Sequence, residues 1–282
     1  EEHMGKETWP TFYQRLFLDN GTPFRGALLK VMRADHLLEE LEIAIRVLPN
    51  SMGKQFLVGL SGEAVTLTFL PDKMPLQMSA ALGDCVHNLR SALDHVAVAV
   101  TAPPIGQGNS GKAYFPTGSD RVAYEGERDR KLMGAPDEAL RIIDALKPWT
   151  GGGNLLRELH ELDVRDKHKL LLPAIAEMHI RSMDVEFSGV RRTITGNDVR
   201  SVADGKNFII EIPCPGIANA AEFKLTKSLK ADFSIKFDSD QPCAGQLVLP
   251  TLQKMRDVAA NLVKECEAAF PGYVSWRLAK RS

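Results

Sequence analysis

The densest group of side chains with possible chemistry lies in the segment Asp84–His95. It contains two histidines, two aspartates, an asparagine and an arginine. Imidazole can exchange protons near neutral pH, and guanidinium or carboxylate groups can stabilise or orient charged reactants. These residue types indicate either an acid–base site or a polar network that fixes the packing of the fold.

One long helix over residues 80–100 would separate these polar side chains from apolar ones. At about 100° per residue, the two sets occupy separate arcs of about 160° and 140°. The polar arc holds Asp84, His87, Asn88, Arg90, Ser91, Asp94 and His95, and the apolar arc holds Leu82, Cys85, Val86, Leu89, Ala92, Leu93, Val96 and Ala97. A solvated face is the ordinary explanation of a polar arc, but such faces are rich in Lys and Glu, and this one contains neither.

A second helix is predicted over LLRELHELDVRDKHKLLL, with Asn154 as its N-cap. Asp163 and Asp166 fall within its apolar arc, and an inward carboxylate needs a partner because burying it alone is very costly. Candidate partners on the first helix are Arg90, His87 and His95. The alternative is that Asp166 belongs to a surface turn at the frayed end of the helix.

The order of patterns predicts an α+β fold. Residues 5–173 form a helical bundle with a β-hairpin at 55–70, where apolar residues alternate around a Ser-Gly turn. Residues 174–249 alternate in the same way and predict an antiparallel sheet, which the hairpin can join. Residues 250–272 form a last helix that returns to the bundle.

The composition argues against several classes of protein. A net charge of −1 over 282 residues argues against a strongly cationic binder. Four cysteines without a CxxC pair fit reduced thiols in the cytoplasm, and the absence of an apolar run of 18 residues argues against a membrane span. No cofactor motif is present.

The spacing Arg90-Ser-Ala-Leu-Asp-His95 has the form R-x4-H, which resembles the signature of the HEPN superfamily of helical ribonucleases, frequent in phage defence. The resemblance implies metal-independent RNA cleavage, with His95 as general acid or base on a ribose 2′-hydroxyl and Arg90 on the phosphate. Asn88 and Asp94 would orient them. It also implies RNA as a partner and a homodimer through the 80–100 helix. The two helix sequences together also resemble a group of bacterial and phage-associated proteins that brings no activity.

Two other interpretations remain open. Asp84 and His87 are one helical turn apart and could bind Mn, Fe or Zn with Asp163 and Asp166. Alternatively, the protein is a non-catalytic binding or regulatory protein whose helices are held in register by a buried polar network. In that case Arg90 and Asp94, four residues apart, form a simple ion pair.

Overall fold

The computed structural model describes residues 22–52, 56–69, 76–103, 105–171, 173–204, 207–216 and 219–271. The chain forms two compact units. One contains Glu1–His36, Asp84–Val164 and Leu252–Ser282, and the other contains Leu37–Gly83 and Arg165–Thr251. Helices and antiparallel sheets together give the predicted α+β fold. Residues 5–21 and 272, which the predicted domain ranges include, lie outside the described residues.

The helices carry most of the candidate residues. The described part of the chain contains α1 (Arg25–Met52), α2 (Leu76–Thr101), α3 (Arg121–Lys131), α4 (Asp137–Ala145), α5 (Leu156–Asp166) and α6 (Val248–Ala269). Within these same residues, no helix is long and apolar enough to cross a membrane.

The α2 helix has the two faces that its period predicts. All eight residues of the apolar arc are fully buried, and most of the polar arc is exposed or half-exposed. Burial raises the pKa of Cys85, on the apolar face, to about 12, so this thiol is inert at neutral pH.

The α5 helix differs from its prediction at both ends. Asn154 is not its N-cap, because its side-chain amide donates to the carbonyl of Leu146 at 2.6 Å and the helix begins at Leu156. The helix ends at Asp166. The next residues form a turn in which the amides of His168 and Lys169 donate to the carbonyl of Arg165, at 2.9 and 2.7 Å.

In the described part of the chain, seven strands form two antiparallel sheets rather than one. The strands are β1 (Phe56–Ser61), β2 (Ala64–Phe69), β3 (Pro173–Phe187), β4 (Val190–Thr195), β5 (Arg200–Asp204), β6 (Asn207–Pro213) and β7 (Phe223–Phe237). One sheet has the order β1-β2-β6-β5 and the other β4-β3-β7. The β1–β2 hairpin therefore joins a sheet through β6, with Val65 opposite Ile212.

The two sheets share one apolar core. Inward residues alternate with outward ones along the strands, as in Val65 and Leu67 of β2 and Ile210 and Ile212 of β6. The core also includes Ile180, Met183, Val185, Ile194, Cys214 and Phe223. The sheets therefore pack face to face and each covers one side of the other.

Candidate functional site

Arg90 turns inward from the polar arc of α2 and is only 5% exposed. Its Nη1 donates to Asp94 Oδ1 at 2.6 Å, its Nη2 to the carbonyl of Phe115 at 3.0 Å, and its Nε to His160 Nδ1 at 3.3 Å. A buried guanidinium needs such partners, because its charge is costly to remove from water. The bond to His160 attaches α2 to α5, and the bond to Phe115 attaches it to a loop, while the bond to Asp94 lies within α2.

Asp94 completes this attachment. Besides Arg90, its Oδ1 accepts the backbone N–H of Phe115 at 2.8 Å. Arg90 and Asp94 therefore hold both polar atoms of the Phe115 backbone, whose side chain is fully buried. The pair therefore attaches α2 to this loop, whereas a surface ion pair would connect only the two side chains.

His160, on α5, accepts the third bond from Arg90. Burial, followed by the charge of Arg90, lowers the pKa of His160 to about 4. The ring is therefore neutral at physiological pH, and its Nδ1 has a lone pair for Arg90 Nε.

His87 contacts α5 one turn further along that helix. Its Nδ1 lies 3.0 Å from Asp163 Oδ1; the Asp163 side chain is 4% exposed and that of His87 52% exposed. An ionised carboxylate only accepts, so the His87 Nδ1–H donates and its Nε2 is left with a lone pair. Ser91 Oγ lies 3.4 Å from this Nε2.

Residues of α1 contact α2 on the other side of its polar arc. Lys30 Nζ donates to Asn88 Oδ1 at 3.3 Å, and Asn88 Nδ2 donates to the carbonyl of Asp84 at 2.7 Å. The His95 ring packs on Gly26, where a β-carbon would lie 2.7 Å from His95 Nδ1. Glycine permits this close approach of the ring to the backbone of α1.

The α2–α5 seam is His87, Arg90, His160 and Asp163. The α2 stripe is Asp84, His87, Asn88, Ser91 and His95, the exposed and half-exposed residues of the polar arc other than Asp94, which is bonded to Arg90. Asp163, placed in the apolar arc of its helix by the sequence, does have a histidine partner, as an inward carboxylate requires.

The structure separates the two residues of the R-x4-H pattern. Arg90 points into the seam, and His95 lies on the stripe against Gly26. Among the described residues, no hydrogen bond or ion pair joins them. Asn88 is bonded to Lys30 instead of orienting either of them.

The residues considered as metal ligands do not form a cluster. No group of three or more His, Cys, Asp or Glu side chains in the described residues has an arrangement that could hold a metal ion. His87 and Asp163 are hydrogen-bonded to each other. Asp166 lies against Gly83, where a β-carbon would be 2.5 Å from both of its carboxylate oxygens.

Two members of the site could not be identified from the sequence, and a third could be identified only weakly. Lys30 comes from a helix 58 residues away, and the backbone of Phe115 from a loop, so both are non-local partners. The sequence indicates only weakly that His160 belongs to the site, since it lies three residues before Asp163 on the same helix.

The arrangement around His87 suits proton transfer. A histidine whose Nδ1–H is held by a buried carboxylate has a fixed tautomer and orientation, so the lone pair of its Nε2 is available to accept a proton. His87 Nε2 faces the exposed stripe, where a hydroxyl group already lies within reach. The stripe therefore has a positioned base at its surface.

No protein-family model matches the sequence, and comparisons with curated proteins and with solved structures also give no match. A function for this chain is therefore inferred from the chemistry of its own residues.

Proposed function

We propose that the α2 stripe is a metal-independent acid–base site that cleaves RNA, with His87 as the general base. The observation that carries the proposal is the hydrogen bond from half-exposed His87 to the buried carboxylate of Asp163, at 3.0 Å. Cleavage of RNA without a metal requires a base to remove the proton of a ribose 2′-hydroxyl, and His87 Nε2 supplies one.

A second requirement is a cation for the charge that develops on the phosphate. Lys30 supports this role. Its ammonium has three donors, one of which is directed to the Asn88 amide oxygen. Asn88 and Ser91 are one turn apart, as are His87 and Ser91. A phosphodiester seated over Ser91 would therefore adjoin both the base and the cation.

This proposal changes the roles implied by the HEPN resemblance while keeping the reaction. His87 replaces His95 as the base, and Lys30 replaces Arg90 at the phosphate, because Arg90 is buried in bonds to the protein. His95 lies one turn beyond Ser91 and is the candidate acid for the leaving oxygen. Asp163 is a positioning residue that acts through His87.

The test is cleavage of a single-stranded RNA by the full chain in EDTA, followed by gel electrophoresis. We expect His87→Ala to lower the rate by about 10²–10⁴-fold, the usual contribution of a general base. His36→Ala is the matched control. His36 is also an exposed helical histidine, with its Nδ1 bonded at 2.9 Å to a backbone carbonyl, and its removal should leave the rate unchanged.

Further variants separate the roles. Asp163→Asn should lower the rate while RNA binding is retained, and Lys30→Met should weaken RNA binding more at low salt than at high salt, where the charge of Lys30 is already screened. RNA that stays intact with the wild-type chain, or is cut equally well by His87→Ala, would contradict the proposal.

A non-catalytic binding or regulatory role is the second candidate, and burial of Arg90 favours it. The seam alone accounts for the buried polar side chains, since its bonds fix the register of two helices. In that case His87→Ala changes stability and no reaction is lost.

The resemblance also implies a homodimer through the 80–100 helix. Light scattering over a range of concentrations tests this part of the proposal. A dimer that dissociates when Val98, a 36% exposed residue of α2, is replaced by Glu would support it, and a monomer at all concentrations would contradict it.

A further inference from the structure

A hydroxyl, an imidazole and a buried carboxylate are hydrogen-bonded in sequence at the α2 stripe. Ser91 Oγ lies 3.4 Å from His87 Nε2, and His87 Nδ1 lies 3.0 Å from Asp163 Oδ1. This is the order of groups found in serine nucleophile sites on unrelated folds. The Ser–His distance is slightly long, as is common in unliganded sites.

The local structure explains why these three groups meet. His87 and Ser91 are four residues apart on α2, so their side chains lie one above the other. Asp163 comes from the buried face of α5 and fixes the imidazole from behind. Ser91 is half-exposed, so its hydroxyl is accessible to a small electrophile.

We propose that Ser91 is a nucleophile that His87 activates, and that the site hydrolyses small carboxylic esters through an acyl-serine intermediate. The proposal rests on the general-base role of His87 in the proposed function, but it needs neither RNA nor Lys30 at a phosphate.

The steps balance without a co-reactant other than water. Ser91 Oγ attacks the ester carbonyl and its proton moves to His87 Nε2. The tetrahedral intermediate collapses, the C–O bond to the leaving alcohol breaks, and the alcohol takes the proton from His87. Water then attacks the acyl-serine ester with His87 as base, which releases the acid and restores the Ser91 hydroxyl.

The oxyanion of the intermediate needs a donor. Residue 91 lies in the interior of α2, where backbone N–H groups are used in the helix. Lys30 is bonded to Asn88, one turn before Ser91, and its ammonium keeps donors beyond that bond. Lys30 is therefore the group assigned to the oxyanion, and esters small enough to reach the half-exposed Ser91 are the substrate class.

The test is labelling of the folded chain with a small alkyl fluorophosphonate, read by intact mass and peptide mapping. Ser91 Oγ displaces fluoride from phosphorus, and the proton passes to His87. We expect one adduct, on Ser91, that is absent in Ser91→Ala and forms at least 10²-fold more slowly in His87→Ala. Ser119→Ala, which removes an exposed serine bonded to Asp120, is the matched control and should label normally.

Serine-to-alanine favours a helix, so Ser91→Ala should fold, and circular dichroism verifies this. The absence of an adduct on the wild-type chain, or an adduct that persists in Ser91→Ala, overturns the proposal. RNA cleavage is measured separately. Labelling at Ser91 with intact RNA rejects only the ribonuclease proposal, and RNA cleavage that Ser91→Ala retains, without labelling, rejects only this one.

Discussion

Arg90 has a different role from the one that its motif implies. On the helical wheel it lies at the edge of the polar arc, next to the apolar arc, and its long side chain can turn either way. The wheel gives the direction of the β-carbon and not of the guanidinium. The guanidinium of Arg90 points inward because it donates to the Phe115 carbonyl and to His160. Neither acceptor can be recognised from the local sequence around Arg90.

Replacing Arg90 with Met should destabilise the chain by about 2–4 kcal/mol. The substitution removes one member of a mostly buried pair and leaves Asp94, the Phe115 carbonyl and His160 without their donor. Arg46→Met removes a similar pair with Glu42, but one that is 70% and 53% exposed, and should cost less than about 0.5 kcal/mol. Urea denaturation measures both, and equal effects would contradict the role assigned to Arg90.

His160 gives the chain a specific dependence of stability on pH. Its pKa is lowered from 6.5 to about 4 in the folded chain, so the unfolded chain takes up its proton first as the pH falls. The stabilisation is fully present above pH 6.5 and is lost as the pH falls towards 4. After allowance for solvent screening, the loss should be about 1–2 kcal/mol.

His160→Gln tests this dependence because the amide oxygen can still accept from Arg90 but does not titrate. The quantity to compare is the free energy of unfolding of the wild type minus that of His160→Gln. This difference should decrease as the pH is lowered from 6.5 to 4. A difference that is constant over this interval, or that increases, would be inconsistent with a neutral His160.

At the scale of helices, the period of the sequence predicted α2 well. An apolar arc of eight residues can be recognised by its 3.6-residue repeat, and all eight are buried. The ends of α5 were harder to predict. Asn154 has the residue type of an N-cap, but its side chain is used in a bond to the carbonyl of Leu146, eight residues earlier in the chain. Residue type alone could not distinguish these two uses of one amide.

Gly83, on α2, lies against Asp166, the last residue of α5. Gly83→Ala should destabilise the chain by about 1 kcal/mol or more, because the new methyl group would lie 2.5 Å from both Asp166 oxygens. This cost exceeds the gain in helix propensity. Gly126→Ala, in α3 with no atom within 4 Å of the new methyl group, should instead stabilise by about 0.5–1 kcal/mol. Thermal unfolding of the two variants compares them, and a stabilised Gly83→Ala would rule out this close approach.

At the scale of the whole molecule, the α+β class could be predicted from the change of period along the chain. The pairing of the strands could not, because β2 pairs with β6 across more than 130 residues and alternation does not identify a partner. The same alternation fits one wide sheet or two packed sheets. Only the shared core, with Leu67 and Ile210 from one sheet and Met183 and Phe223 from the other, distinguishes them.

Each of the two units is built from segments that are distant in the sequence. Residues 37–83 belong with the strands, and the segment from Leu252 onward belongs with α2 and α3. The ranges 5–173, 174–249 and 250–272, predicted as parts of one folding unit, stay predictions. The candidate site itself, from Lys30 to Asp163, lies entirely within one unit.

Both proposals require that the Asp163 carboxylate holds the Nδ1–H tautomer of His87. Nitrogen-15 NMR of the imidazole ring, with the signals assigned by His87→Ala, measures this directly in the neutral form. We predict a protonated Nδ1 and an unprotonated Nε2 in the wild type, and loss of this preference in Asp163→Asn. A wild-type His87 that carries its proton on Nε2, or that averages between the two tautomers, would contradict the account.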